Sequence, residues 1–119
     1  MYEPTPHVTS PDGALEAGMA AGGHLRWVAV DLTAPVEFIR RRRDLSPVSS
    51  AALGRALAGA AMLLRLQSKT PQRLVLEIRG DGPLGKVMTE AEPNGNLRGL
   101  VGAPRVDVLA YSDGKLALG

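Results

Sequence analysis

The sequence predicts an α+β domain built from one buried helix and a meander of at least three strands. Three observations carry that expectation. Residues 47–66 are apolar on most sides at helical spacing. Residues 73–79, Arg-Leu-Val-Leu-Glu-Ile-Arg, alternate with the period of a strand. Pro93-Asn94-Gly95-Asn96 joins two further alternating runs and reads as a hairpin turn, because Asn-Gly readily takes two positive φ values.

Met1 to about Gly23 is rich in Pro, Gly, Ala, Ser and Thr. It reads as a flexible leader, with at most a weak helical turn over Leu15 to Ala21. From His24 to Thr33, Arg26, Val28 and Val30 alternate with Leu25, Trp27 and Ala29, and the β-branched and aromatic content supports a strand. Thr33 is the expected N-cap of a first helix, with Pro35 in its first turn, where a missing N–H is harmless. That helix runs to about Arg43. Arg40-Arg41-Arg42-Arg43 lies in its last turn, where cations favour the dipole; four consecutive residues splay around the axis rather than forming one stripe.

Ser46 is a good N-cap and Pro47 a good first helical residue for the second helix, which extends to about Leu66. Leu53, Leu57, Ala60 and Leu64 share a face, with Ala52, Ala56, Gly59 and Leu63 beside them. Gly54, Ala58 and Gly59 would let another backbone come close. After a polar connection, Leu74, Leu76 and Ile78 face one way and Arg73, Val75, Glu77 and Arg79 the other. The turn at Gly80, Asp81, Gly82 and Pro83 leads to a second strand over Gly85 to Glu92, with Val87, Thr89 and Ala91 on one side. The Asn94-Gly95 hairpin leads to a third over Asn96 to Val101. Val106 to Ala110 and Leu116 to Leu118 are expected as short strands around Ser112-Asp113-Gly114.

The 119 residues suffice for one domain and one core. The sequence has no cysteine, which excludes disulfides, thiolate metal sites and thiol nucleophiles from it. Two histidines, His7 and His24, are a poor basis for a metal site or a general base. Four aromatics, Tyr2, Trp27, Phe38 and Tyr111, argue against a base-stacking platform for nucleic acid. The formal net charge is +2, but residues 1–22 carry −3 and the remainder +5. A mildly basic domain behind an acidic leader favours an acidic partner. The start lacks the basic and apolar pattern of a signal peptide, and Arg55 and Arg65 interrupt the most apolar stretch. A soluble, cytoplasmic protein without membrane contact is the expectation.

Gly80-Asp81-Gly82-Pro83-Leu84-Gly85 matches G-x-G-x-x-G literally. A phosphate-binding loop needs a helix to begin at those glycines, whereas the next segment alternates as a strand, so a tight turn is the better reading. An anion or nucleotide site there, helped by the arginines, is the weaker alternative. Arg40, Arg41, Arg42 and Arg43 are the candidate contacts for an acidic partner; the plain reading is a solvated helix end. Asp31, Glu77 and Asp81 lack a histidine or carboxylate partner at a telling spacing, so no catalytic residue is assigned and no enzyme is expected.

Taken together, several segments resemble the N-terminal domain of the bacterial 33-kDa heat-shock proteins, a family of redox-regulated chaperonins. They are Trp27 to Thr33, Arg40 to Pro47, Ala52 to Ala58, Arg73 to Gly85 and Asn94 to Val101. Their order and spacing are specific, and the resemblance covers roughly residues 24–119.

The resemblance implies a fold of mixed or antiparallel β-sheet layers with two helices packed on one face. It also implies an ATP-independent holdase that binds unfolding client proteins and dimerises. In the family, a C-terminal module of four cysteines binds zinc when reduced and releases it on oxidation, and a linker before that module then unfolds. No switch residue is found here, so zinc belongs to the implied whole and no cofactor is expected in this chain. The sequence looks like a fragment or truncated relative, with residues 1–23 as leader and 24–119 as an incomplete chaperone domain. A structural dimerisation module without client binding of its own is the alternative.

Overall fold

The computed structural model describes residues 12–67 and 72–106. Two antiparallel sheets flank a pair of helices. Strand β1 (Ala14–Ala20) pairs with β2 (Leu25–Asp31). Helices α1 (Thr33–Arg43) and α2 (Pro47–Leu66) follow. Strands β3 (Leu74–Arg79), β4 (Lys86–Ala91) and β5 (Leu97–Val101) form a meander in the order β3-β4-β5.

The leader reading is corrected by β1. Residues 14–20 form a strand, and Leu15 to Ala21 make no α-helical turn. Ala-Leu-Glu-Ala-Gly-Met-Ala has little strand propensity of its own. Seven consecutive pairings with β2, from Ala14 opposite Asp31 to Ala20 opposite Leu25, impose the extended form. Between the strands, Ala21, Gly22 and Gly23 turn with positive φ.

The start of α1 is also corrected. Leu32 holds the N-cap position and makes no side-chain cap. Asp31 takes the role expected of Thr33: its Oδ1 accepts from the Thr33 amide at 2.9 Å and from Thr33 Oγ1 at 2.6 Å. These bonds hold the Asp31 carboxyl below its ordinary pKa. The helix ends at Asp44, in the left-handed conformation that Asp tolerates better than most side chains, with its amide bonded to Arg40 O.

The core lies between α2 and one face of the three-stranded sheet. Leu53, Ala56, Leu57, Ala60 and Leu64 of α2 are buried against Val87, Thr89 and Ala91 of β4, the alternate residues of that strand. Helix α1 adds Val36 and Ile39 beside this core. A Cβ on Gly54 would come within 3.3 Å of Val36, so the glycine sets how closely α1 approaches α2. By length and composition alone α2 is apolar enough to cross a membrane. Here nine of its residues are buried in the core, while Arg55 and Arg65 are exposed.

The β4–β5 turn differs in detail from expectation. Only Gly95, not Asn94, takes positive φ. Glu92 N donates to Asn96 O, Gly95 N to Glu92 O, and Asn96 N to Asn94 Oδ1. The Asn94 side chain thus supplies by hydrogen bonding what a second left-handed residue would have supplied by geometry. The strands expected beyond residue 106 lie outside the described residues.

Candidate functional site

The β1–β2 hairpin presents two different faces, because residues directly opposite in an antiparallel pair share a side. Leu15, Ala17 and Met19 stand with Val30, Val28 and Arg26; Gly18 and Ala20 stand with Trp27 and Leu25. Leu15, Met19, Leu25 and Trp27 are all exposed, Met19 by 68%. The Trp27 indole lies over Gly18, where a Cβ would meet its ring at 2.8 Å.

Leu15 and Val30 form one wall of an open groove of about 1390 Å³. Phe38 and Ile39 of α1 and Leu57, Ala61 and Leu64 of α2 continue it, and the β4–β5 turn closes one end. Charged groups sit around this apolar lining, among them Arg26, Arg65, Glu92 and Arg98. Arg26 reaches toward Leu66 O at 3.5 Å, a cation at the negative end of α2. A broad apolar trough with a polar rim suits an extended polypeptide better than a small polar ligand.

A second groove, of about 760 Å³, runs between the end of α1 and the sheet. It shows which of the four candidate arginines are available to a partner. Glu37 binds Arg40 through two bonds, Nε to Oε2 at 2.7 Å and Nη2 to Oε1 at 2.6 Å, and Arg41 Nε at 2.8 Å. These bonds hold the Glu37 carboxyl down at about 2 and raise Arg40 further. Arg42 lies 5.5 Å from the Phe38 ring centroid, and Arg42 and Arg43 line the groove. Arg73 and Arg98, not singled out from sequence, join them. They lie far apart along the chain, and only the meander brings them beside α1.

The other sequence candidates have structural partners. Ser46 caps α2: its Oγ accepts from Ser49 N at 3.2 Å, and Pro47 opens the helix. The same Oγ donates to Val106 O at 2.7 Å, Ser46 N donates to Pro104 O at 2.8 Å, and Ser49 Oγ donates to Ala103 O at 2.7 Å. Gly80, Gly82 and Pro83 lie in the turn between β3 and β4, closed by Gly80 N to Gly85 O and Gly85 N to Gly82 O. Strand β4 begins at Lys86, so no helix N-terminus faces those glycines and the nucleotide alternative loses its geometry. Asn94 and Gly95 hold the β4–β5 turn. Glu77 bonds Arg79 at 2.6 Å and lies 3.6 Å from Lys86, and these cations lower its pKa.

Among the described residues no cluster of three or more His, Asp or Glu is placed to hold a metal. The zinc that the resemblance implies is held by four thiolates, and these 119 residues contain no cysteine, so they do not fit that group.

A family profile described as Hsp33 protein matches residues 14–119. A 33 kDa chaperonin of Thermus thermophilus is 48% identical over 108 residues, which are 90% of this chain and 32% of that protein. The 33 kDa chaperonin of Deinococcus radiodurans is 43% identical over 101 residues, 83% of this chain and 34% of that protein. The crystal structure of the 33 kDa chaperonin, heat shock protein 33 homolog, from Thermotoga maritima superposes with a TM-score of 0.76 at 31% identity. That match covers 85% of this chain and 34% of the other. The chain therefore spans about a third of the length of these relatives.

Proposed function

Because the chain belongs to the Hsp33 family, we propose that it is a client-binding domain of a bacterial, cytoplasmic chaperone, acting as an ATP-independent holdase and not as an enzyme. One observation carries this reading: Leu15 and Val30 on one face of the hairpin wall an open apolar groove, and Leu25 and Trp27 lie exposed on its other face. An unfolding protein offers apolar segments, and removing apolar surface from water, at about 25 cal/mol per Å² before the costs of association, favours their capture. No nucleotide is needed for such capture.

The test is suppression of aggregation of a heat-labile protein by this chain without ATP, in reducing and in oxidising buffer. Equal suppression in both is expected, since the chain has no thiol of its own to oxidise. A folded chain that suppresses nothing would overturn the reading.

The second reading, a dimerisation module, is favoured by one feature of the hairpin. Among the described residues β1 is hydrogen-bonded to β2 alone, so an edge strand is offered for pairing with a second copy. Light scattering at rising concentration tests this, and a monodisperse monomer throughout would count against it. Redox control is a proposal for longer family members that carry the cysteine module.

A further inference from the structure

The groove between α1 and the sheet combines charge and apolar surface in a way that the client-binding reading does not use. Four arginines from three elements line it: Arg42 and Arg43 at the end of α1, Arg73 just before β3, and Arg98 on β5. One acid, Glu90, faces them. Glu90 Oε1 lies 3.3 Å from Arg73 Nη1, and Arg98 stands opposite Glu90 in the strand register. A single carboxylate cannot neutralise four guanidinium groups, so the groove carries an excess of positive charge.

The groove is not only basic. Val75, Met88 and Leu100 stand together on the face of the sheet turned away from α2, Met88 directly opposite Leu100, and Val75 and Leu100 are about half exposed. Phe38 adds an aromatic wall under Arg42. A phosphate backbone uses the charge but leaves the apolar residues wet, and a wholly apolar segment leaves the guanidinium groups without partners. A polypeptide carrying carboxylates among apolar side chains satisfies both. Guanidinium forks bind carboxylates through two parallel bonds, which adds direction to the attraction.

We propose that this groove, which adjoins the hairpin-walled one at Phe38, Ile39, Leu97 and Arg98, is a docking surface for an acidic polypeptide segment. Carboxylates of that segment meet Arg42, Arg43, Arg73 and Arg98, and its apolar side chains lie on Val75, Met88 and Leu100.

The experiment uses the full chain and fluorescence anisotropy with short labelled peptides. One peptide alternates Glu with Leu and Val; two others replace each Glu by Gln or by Lys. The Glu peptide is expected to bind at least about ten-fold more tightly than either, and to weaken as salt is raised past about 0.15 M, where charges are screened within ~8 Å. Arg43→Glu with Arg73→Glu, both of which line this groove alone, should reduce that affinity by about ten-fold or more, whereas Arg55→Glu, on the exposed side of α2, should not. Circular dichroism checks that the variants are folded. If the double variant unfolds, the single variants Arg43→Gln and Arg73→Gln replace it, and amide shifts at Met88 and Leu100 on peptide addition locate the site.

Equal binding of the Glu and Lys peptides, no binding of any peptide, or an equal loss in Arg55→Glu would overturn the proposal. So would displacement of the peptide by oligoglutamate or a single-stranded oligonucleotide at equal charge concentration, since the apolar floor would then contribute nothing. The aggregation assay is read separately, so failure of the holdase reading and failure of this one are distinguishable.

Discussion

Gly99 of β5 lies directly beneath Leu53 of α2, so close that a Cβ on Gly99 would stand 2.5 Å from Leu53 Cδ1. Leu53 is 1% exposed and belongs to the buried core. The distance from helix to sheet is therefore set where the smallest residue of the sheet meets a large residue of the helix. Gly99→Ala is expected to destabilise by about 1–3 kcal/mol through overpacking. Leu53→Ala is expected to cost about 2–5 kcal/mol through the cavity it leaves. Because the two sites share one contact, Gly99→Ala with Leu53→Ala should cost less than the sum of the singles, by at least about 0.5 kcal/mol. Urea unfolding of these variants measures this, and strict additivity would show that the two residues do not set the spacing.

The same kind of pairing in the hairpin links stability to client capture. Gly18 stands opposite Trp27 and leaves room for the indole, which remains 41% exposed. Gly18→Val should displace the ring into water and shift the emission of the sole tryptophan to the red. Trp27→Ser with Leu25→Ser removes two exposed side chains, so the unfolding free energy should change by less than about 1 kcal/mol. Suppression of aggregation should nevertheless fall by about half or more, because the captured segment loses an aromatic and an aliphatic contact surface. Unchanged suppression would move client binding off the Trp27 face of this hairpin.

Sequence was legible where local chemistry and tertiary structure agree. Ser46-Pro47 reads as a helix start and is one, because a hydroxyl cap and a missing N–H act within a single turn. The alternation of Val87, Thr89 and Ala91 reads as a buried strand face and is one. Strand β1 was illegible: Ala, Gly and Glu have no extended preference, and only the partner strand supplies it. The Arg42–Arg98 groove was half legible. The run of four arginines is obvious in the sequence. That Glu37 occupies two of them, while Arg73 and Arg98 arrive from the meander, is a fact of topology alone.

Ser46 and Ser49 hold more than the helix start. Between them they bond to the carbonyls of Ala103, Pro104 and Val106, so the N-terminus of α2 fixes the segment that follows β5. Ser46→Ala removes a cap and a tertiary bond together and should cost about 1–2 kcal/mol. Ser49 is fully buried, and Ser49→Ala leaves the Ala103 carbonyl without its donor, at a cost of about 1–3 kcal/mol. Hydrogen exchange should report the difference in kind. Amides after Val101 should lose protection in both variants, while the α2 amide of Ser49 should lose it only in Ser46→Ala. Loss at neither place would show that these bonds do not fix the segment.

Ser50 contrasts with its neighbours. It is buried, and among the described residues its Oγ has no hydrogen-bond partner. Ser50→Ala removes that unsatisfied hydroxyl and adds a better helix former, so a gain of about 0.5–1.5 kcal/mol is expected. Denaturant unfolding measures it, and a loss would reveal a partner for the hydroxyl in solution.

Glu37 makes the acid response of the domain predictable. Its carboxyl lies at about 2 in the folded chain, against an ordinary value of 4.5, because Arg40 and Arg41 bond to the ionised form. Folding therefore favours the deprotonated group. Its contribution is complete above pH 4.5, declines as pH falls from 4.5 toward 2, and is absent below that range. Both arginine partners reach solvent, which screens the pair and keeps the effect modest. Glu37→Gln should lower the melting temperature slightly at neutral pH and flatten its fall between pH 4.5 and 2. The variant also leaves Arg40 and Arg41 without their carboxylate, so it should bind the acidic peptide more tightly than the parent chain does at neutral pH, through the added positive field beside Arg42 and Arg43. Thermal melts across the acid range and anisotropy at neutral pH read the two effects independently. Parallel melting curves for the parent chain and Glu37→Gln would show that this carboxylate does not govern the acid limb.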